Sequence, residues 1–169
     1  SLPCNVSAKT KREKALEAYQ KFLGKYESSY TIRDFDYENE NKENYKYCSA
    51  FMIKDMNGDK VPELVTLHPI RYKDYKVYIY TYKKGKVCQL NKKAISCTSV
   101  SGGSAYVYFC SRNHLHNHYL YGLFEEDDTA YKLNTKGKLS KYLDYQESFI
   151  TNKFVFKKIV NPWEKCVQN

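Results

Sequence analysis

The apolar side chains of this 169-residue chain follow two different periods, and the change between them near residue 47 constrains the fold most. Before that point, apolar residues recur every three or four positions over residues 7–27, the spacing of one helix face. After it, apolar and polar side chains alternate over short segments separated by turn residues such as Gly and Asn. One helix followed by many short strands predicts an α+β fold, with the N-terminal amphipathic helix packed on an antiparallel β-sheet meander.

The predicted helix over residues 7–27 has a recognisable start and one apolar face. Thr10 followed by Glu13 fits a capping box, in which each side chain bonds the backbone of the other residue. Charged residues fill the other faces. The apolar face consists of Leu16, Tyr19, Phe22, Leu23 and Tyr26.

The predicted antiparallel sheet covers residues 47–135. Lys84-Gly85 marks a tight hairpin turn, whereas residues 112–113 and 127–128 are expected to break strands. Residues 136–169 form a C-terminal region of ambiguous pattern. No Gly/Pro/Ser-rich linker divides the chain, so residues 1–169 are predicted to be a single domain. The expected strands are 47–54, 63–67, 75–82, 87–90, 94–99, 104–111, 119–126 and 130–134.

The charge of the chain is strongly basic, with 28 Lys and Arg against 19 Asp and Glu and a formal net charge of +9. This balance raises the possibility of nucleic-acid binding. The scarcity of Arg disfavours nucleic acid, because phosphate and base recognition favour the Arg fork. Attraction to anionic polymers or membrane surfaces stays open. No apolar run approaches the roughly 20 residues of a membrane helix, so no transmembrane segment is predicted.

The cysteines bear on the cellular compartment. Six Cys without a CxxC pair are expected to form one to three disulfides in an exported protein, and Cys4 and Cys166 are placed to join the chain ends. The alternative is a set of reduced thiols. The start Ser1-Leu2-Pro3-Cys4 fits a mature form whose signal peptide has been removed, or a fragment. We expect an extracytoplasmic protein, secreted or attached to the cell surface.

One segment carries oxygen-bearing residues at a spacing typical of calcium loops. In the run from Asp55 to Glu63 these residues occupy positions one, three, five and nine. Calcium takes about six to eight oxygen ligands, which a short loop supplies when alternate residues turn inward. The predicted ligands are the side chains of Asp55, Asn57, Asp59 and Glu63 and the main-chain carbonyl of Val61, with water completing the shell.

The segment departs from an EF-hand loop at two positions. Lys60 stands at position six, where the sharp turn needs Gly, and Thr66 stands at position twelve, where a bidentate Glu is expected. The EF-hand interpretation therefore fails, and the Lys60 charge is expected to weaken cation binding. The alternative is a metal-free polar turn, because Asn57-Gly58 is a strong turn signal. No other cofactor is predicted.

The same segment and its flanks resemble a known group of proteins. Phe51 to Leu64 is similar to a D-x-N-x-D-G-x-x-E-L strand–loop–strand signature, and Val77 to Val87 is similar to the V-Y-x-Y-x-x-G-K-V hairpin that follows it. Both occur, after an N-terminal helix, in uncharacterised exported and lipid-anchored proteins of gut-dwelling Gram-positive bacteria. The resemblance spans roughly residues 15–90. It implies an extracytoplasmic protein with no known catalytic residues.

Tyrosine is abundant, with 18 residues, and three tyrosines alternate within one predicted strand. Tyr78, Tyr80 and Tyr82 are expected to share one face, where flat rings with hydroxyls would suit a sugar or peptide ligand. The alternative is that they are half-buried sheet residues.

Three histidines also alternate along the chain. His114, His116 and His118 would share a face in a strand, about 7 Å apart, and H-x-H pairs on strands bind zinc or copper. The neighbouring Asn residues favour a solvated hairpin turn instead.

The sequence therefore predicts a binding or interaction domain for an extracellular or cell-envelope ligand. A calcium-ordered loop at residues 55–63 would fix the register of its flanking strands. Catalytic motifs such as G-x-S-x-G and H-E-x-x-H are absent from the sequence, and no catalytic residue is assigned. The alternatives are a polymer-degrading hydrolase with unidentified carboxylates, or a polyanion or nucleic-acid binder.

Overall fold

The structure, a computed structural model, describes residues 7–26, 50–71, 74–97, 104–110, 112–121, 125–143 and 157–158. Within these ranges the protein is α+β, as predicted, with one helix and antiparallel strands in two sheets. The elements are α1 (Lys11–Leu23), β1 (Ala50–Lys54), β2 (Glu63–Arg71), β3 (Asp74–Lys83), β4 (Lys86–Gln89), β5 (Ile95–Cys97), β6 (Ser104–Phe109), β7 (Leu115–Tyr121), β8 (Glu125–Leu133), β9 (Leu139–Leu143) and β10 (Lys157–Lys158).

Helix α1 begins where the sequence predicts a cap. The Thr10 hydroxyl accepts a hydrogen bond from the Glu13 amide at 3.2 Å, and the Glu13 carboxylate accepts one from the Thr10 amide at 2.7 Å. The capping box is therefore confirmed. The helix ends at Leu23, followed by Gly24, and is shorter than the predicted 7–27. The cap fixes the start, and Gly, a poor helix former, stands at the end.

The first sheet has six strands in the order β10-β1-β2-β3-β4, with β5 also pairing with β3. Strand β3 pairs with β4 at one end and with β5 at the other. Asn91 fills the gap between the two partners. Its Oδ1 accepts a hydrogen bond from the Ile79 amide at 2.7 Å, and its Nδ2 donates to the Val77 carbonyl at 3.0 Å. The Lys84-Gly85 hairpin turn is confirmed, with both residues at positive φ.

The second sheet has four strands in the order β6-β7-β8-β9. The predicted antiparallel meander is therefore confirmed, but its strands divide into two sheets. The predicted strand 119–126 is wrong, since it joins the end of β7 to the start of β8, and the predicted break at 127–128 lies inside β8. Acidic residues are depleted in strands, but pairing with β7 overrides that preference here.

The elements form three layers: α1, the six-stranded sheet and the four-stranded sheet. One apolar cluster lies between the sheets, and it includes Val65, Val77, Ile79, Phe109 and Leu115. Another lies under the helix, and it includes Ala15, Tyr19, Phe51, Leu64 and Tyr80. Because the six-stranded sheet is covered on both faces, consecutive residues of β2 from Glu63 to Thr66 are all fully buried.

No helix in the described part of the chain combines the length and the apolar character that crossing a membrane requires. Of the predicted C-terminal region, the structure describes residues 136–143, which include β9, and the two residues of β10, which pair with β1.

Candidate functional site

The predicted calcium segment is the connection between β1 and β2, and its carboxylates organise its backbone. The two oxygens of Asp55 accept hydrogen bonds from the amides of Gly58 and Lys60, both at 2.8 Å. Asp59 Oδ1 accepts from the Val61 amide at 2.8 Å. These bonds wind the backbone around Asp55. Residues 55–62 are called the β1–β2 loop below.

Asn57 and Asp59 form a second set of bonds in the β1–β2 loop. Asn57 Oδ1 accepts a hydrogen bond from the Asp59 amide at 3.1 Å, and Asn57 Nδ2 donates to Asp59 Oδ2 at 3.3 Å. Asn57 and Asp59 are therefore bonded to each other, on the stretch of backbone whose amides bond Asp55.

Lys60 adopts the left-handed backbone conformation that glycine usually supplies at this position of a calcium loop. Its φ is 69°, close to the 76° of Gly58. A left-handed conformation costs a non-Gly residue about 1–2 kcal/mol, which the hydrogen bond from the Lys60 amide to Asp55 helps to offset. The tight turn therefore forms without Gly at position six.

Glu63, the last predicted ligand, is the first residue of β2 and is fully buried. Its carboxylate accepts hydrogen bonds from the Met56 amide at 2.9 Å and from the Thr81 hydroxyl at 3.1 Å. Burial raises the pKa of Glu63 to about 7. This pKa is the net result of burial, which is the largest cause, of the two hydrogen bonds, which lower it, and of the negative charges of Asp59 and Asp55, which raise it. Glu63 thus ties the loop to β3 at an electrostatic cost.

Two contacts hold the β1–β2 loop against the other layers, and the sequence pattern gives no signal for either. The Tyr19 hydroxyl of α1 donates a hydrogen bond to the Pro62 carbonyl at 2.8 Å. Asn113, which precedes β7, donates from Nδ2 to the Asp55 carbonyl at 2.9 Å. The loop is therefore held by the helix on one side and by the second sheet on the other.

The donor set of the loop is chemically suited to calcium. It consists of carboxylate, amide and carbonyl oxygens, the hard ligands that calcium takes. Each carboxylate oxygen can accept more than one bond, and the hydrogen bonds above use only part of that capacity. In the parts of the chain that the structure describes, no group of three or more His, Cys, Asp or Glu side chains is arranged to hold a metal ion. A calcium site in the loop would therefore need the Asn57 side chain and the Val61 carbonyl as ligands in addition to carboxylates.

The three predicted ligand-face tyrosines lie on the side of β3 that faces α1. Tyr80 is only 6% exposed, and its ring centroid lies 4.7 Å from that of Phe22. Tyr78 and Tyr82 are half-buried beside the helix-side cluster. This tyrosine row is therefore largely part of the core, which matches the alternative of half-buried sheet residues.

The histidine segment differs from its predicted conformation. His116 and His118 lie in β7 and are buried, and the prediction of a solvated turn is wrong for them. His114 precedes the strand, and its Nδ1 lies 2.6 Å from the Tyr142 hydroxyl. This polar segment forms a strand because its backbone pairs on both sides, with β6 and β8.

The cysteines within the described ranges form no disulfide bond with one another; Cys88 and Cys110 are free thiols. Cys4, Cys48 and Cys166 lie outside the described residues, including the predicted Cys4–Cys166 pair.

Comparisons with protein-family models, with curated proteins and with solved structures give no match to this chain. The likeness to exported proteins of gut bacteria stays a prediction, and the function has to be inferred from the residues themselves.

Proposed function

We propose that the chain is an extracytoplasmic binding domain whose β1–β2 loop, together with Glu63, holds a calcium ion that orders the loop. The observation that supports this most is the grouping of Asp55, Asn57 and Asp59 on a tightly wound loop that ends at the buried carboxylate of Glu63. The negative charges of Asp59 and Asp55 act on the buried carboxyl of Glu63, and a calcium ion bound by the loop would offset that repulsion.

The proposed role of the ion is structural. The loop contacts α1 through Tyr19 and the second sheet through Asn113. An ion that fixes the loop would therefore stabilise the contacts between all three layers, and its binding would raise the stability of the whole domain by linkage.

The test is the thermal midpoint of the metal-stripped protein with calcium, with magnesium and with chelator. At a calcium concentration about 100-fold above Kd, linkage gives about 2.7 kcal/mol of stabilisation, a rise of several degrees. Magnesium should give less, because it demands octahedral geometry and loses water reluctantly. An unchanged midpoint in calcium would refute the calcium site.

The matched variants are Asp59→Asn and Glu17→Gln. Asp59→Asn keeps an oxygen for the Val61 amide but removes a ligand charge, so it should lose most of the calcium response. Glu17→Gln removes a carboxylate from the exposed face of α1 and should respond to calcium as the wild type does. Equal calcium responses in all three proteins would place the ion elsewhere.

A further inference from the structure

Four connections meet at the end of the molecule that contains the β1–β2 loop. The pairings Lys54 with Glu63 and Leu64 with Tyr80 place the β3–β4 turn beside that loop. The hydrogen bond from Asn113 to the Asp55 carbonyl brings the β6–β7 turn to the same end.

The β8–β9 turn follows from the register of the second sheet. Leu115 pairs with Tyr131, and Leu133 pairs with Leu139, so the β8–β9 turn lies beside the β6–β7 turn. We call the surface formed by these four connections and the strand residues next to them the loop end.

The loop end is densely basic. Its exposed cationic side chains are Lys60, Lys83, Lys84, Lys86, Arg112, Lys132, Lys136 and Lys138. Lys9 and Glu17, in the helix region, form an ion pair. Within the described ranges, no carboxylate forms an ion pair with a lysine of the loop end. The acidic side chains of the β1–β2 loop, Asp55 and Asp59, already accept hydrogen bonds from it.

A polar cluster on β9 and the β6–β7 turn lies within the loop end. The Tyr142 hydroxyl lies 2.6 Å from His114 Nδ1 and accepts a hydrogen bond from Arg112 Nη2 at 3.4 Å. Lys132 Nζ lies 5.7 Å from the centre of the Tyr142 ring. These contacts hold Arg112, His114 and Lys132 together, so donors and positive charge concentrate around one exposed point.

The sequence places acidic residues at the opposite ends of the same strands. Asp74 begins β3, and Glu125 and Glu126 begin β8. Along β3 and β8 the residues therefore change from acidic at one end to basic at the loop end. Such a separation orients and attracts an anionic partner.

We propose that the loop end binds a linear polyanion through its phosphate groups and without contacts to bases. Lysine is a flexible point charge that suits a polymer of repeated phosphates, whereas base recognition favours Arg forks and exposed stacking rings. Arg112 is the one Arg among the exposed basic residues named above, and it bonds Tyr142. The inference rests on the proposed binding function and names its ligand class.

The experiment measures the affinity of the protein, in chelator, for two single-stranded probes of equal length and charge. One is an oligomer of thymidine phosphate, and the other is the abasic deoxyribose phosphate oligomer. We expect both to bind equally, with affinity that falls steeply as salt rises, by a slope of roughly 0.7 per phosphate contacted. Tighter binding of the thymidine oligomer would overturn the proposal in favour of a nucleic-acid surface. No binding of either probe at low salt would overturn it outright.

Two quadruple variants with equal loss of charge separate a localised surface from general attraction. Lys83, Lys86, Lys136 and Lys138 are changed to Gln at the loop end, and Lys21, Lys25, Lys92 and Lys93 are changed to Gln elsewhere. All are exposed, and none has positive φ. The loop-end variant should lose at least about tenfold in affinity and flatten the salt slope, while the control should lose about threefold or less. Equal losses would refute a localised surface.

The calcium response of both variants is measured in parallel by thermal unfolding. If the loop-end variant keeps its calcium-induced rise in thermal midpoint but loses polyanion binding, the result supports the polyanion surface independently of the calcium site. A calcium shift in a wild type that binds neither probe would leave the calcium site standing and refute only the polyanion.

Discussion

The two faces of the six-stranded sheet are built from the same strands but carry different kinds of side chain. The face toward the second sheet presents Val65, Val77 and Ile79, all fully buried. The face toward α1 presents Leu64 and Tyr80 as buried residues, with half-buried aromatic neighbours around them. The comparison indicates that the area covered by the neighbouring layer, a sheet on one face and a helix on the other, determines which side chains suit each face.

A four-stranded sheet covers a broad area, so the aliphatic residues at the centre of this face, Val65, Val77 and Ile79, lose all contact with water. A 13-residue helix covers only part of the other face. The residues at its margin meet both protein and solvent, which suits tyrosine, because its ring packs while its hydroxyl stays hydrated.

The largest expected effect comes from equal truncations on the two faces. Leu115→Ala, between the sheets, should cost about 4 kcal/mol, because the surrounding strands are held on both sides and cannot fill the cavity. Leu23→Ala, under the helix, should cost about 2 kcal/mol, because the last turn of α1 can move inward. Urea unfolding measures both values, and an equal cost would contradict the proposed difference between the faces.

The next effect concerns the charged group at the rim of the inter-sheet face. The pKa of Glu63 is about 7 in the folded protein, above the usual 4.5, because the carboxyl is buried. The folded state therefore binds the proton more tightly than the unfolded state does. The stability that this contributes is fully present below pH 4.5 and is lost as pH rises through 7.

In chelator, Glu63→Gln should remove this loss. Between pH 4.5 and pH 8 the free energy of unfolding of the variant should gain about 2–3 kcal/mol relative to the wild type. Thr81→Val removes a donor to the carboxylate and should move the loss to higher pH. Parallel pH profiles for wild type and Glu63→Gln would show that the carboxyl is not perturbed by burial.

The smallest expected effect tests a hydroxyl on the helix face. Tyr19→Phe leaves the Pro62 carbonyl without its donor in a buried position and should cost about 1 kcal/mol. Tyr82→Phe removes a half-buried hydroxyl that forms no hydrogen bond with the described residues, and it should change stability by less than about 0.5 kcal/mol. If Tyr82→Phe proves the costlier change, the Tyr19 contact does not anchor the loop.

The sequence predicted local structure best where residues close in the chain form hydrogen bonds with one another. Three features depend on residues within a few positions of one another: the capping box of Thr10 and Glu13, the Lys84-Gly85 turn, and the polar β1–β2 loop whose backbone bonds Asp55, Asn57 and Asp59. Short-range hydrogen bonds make such features readable from the sequence.

The sequence pattern predicted the wrong secondary structure where pairing with a strand distant in the chain determines the conformation. The acidic start of β8 and the histidines of β7 have the composition of turns, yet they pair as strands of the second sheet. Strand preference depends on the neighbours across the sheet, which a single sequence does not reveal.

The sequence by itself determined one amphipathic helix, a run of antiparallel strands and a carboxylate-rich loop between two of them, because each follows from periodicity or from local hydrogen bonding. Only the tertiary structure decided that the strands divide into two sheets, that the tyrosine row lies beneath the helix, and that four connections gather their lysines at one end. These features depend on which faces bury each other, and burial is a property of the packed layers rather than of any one segment.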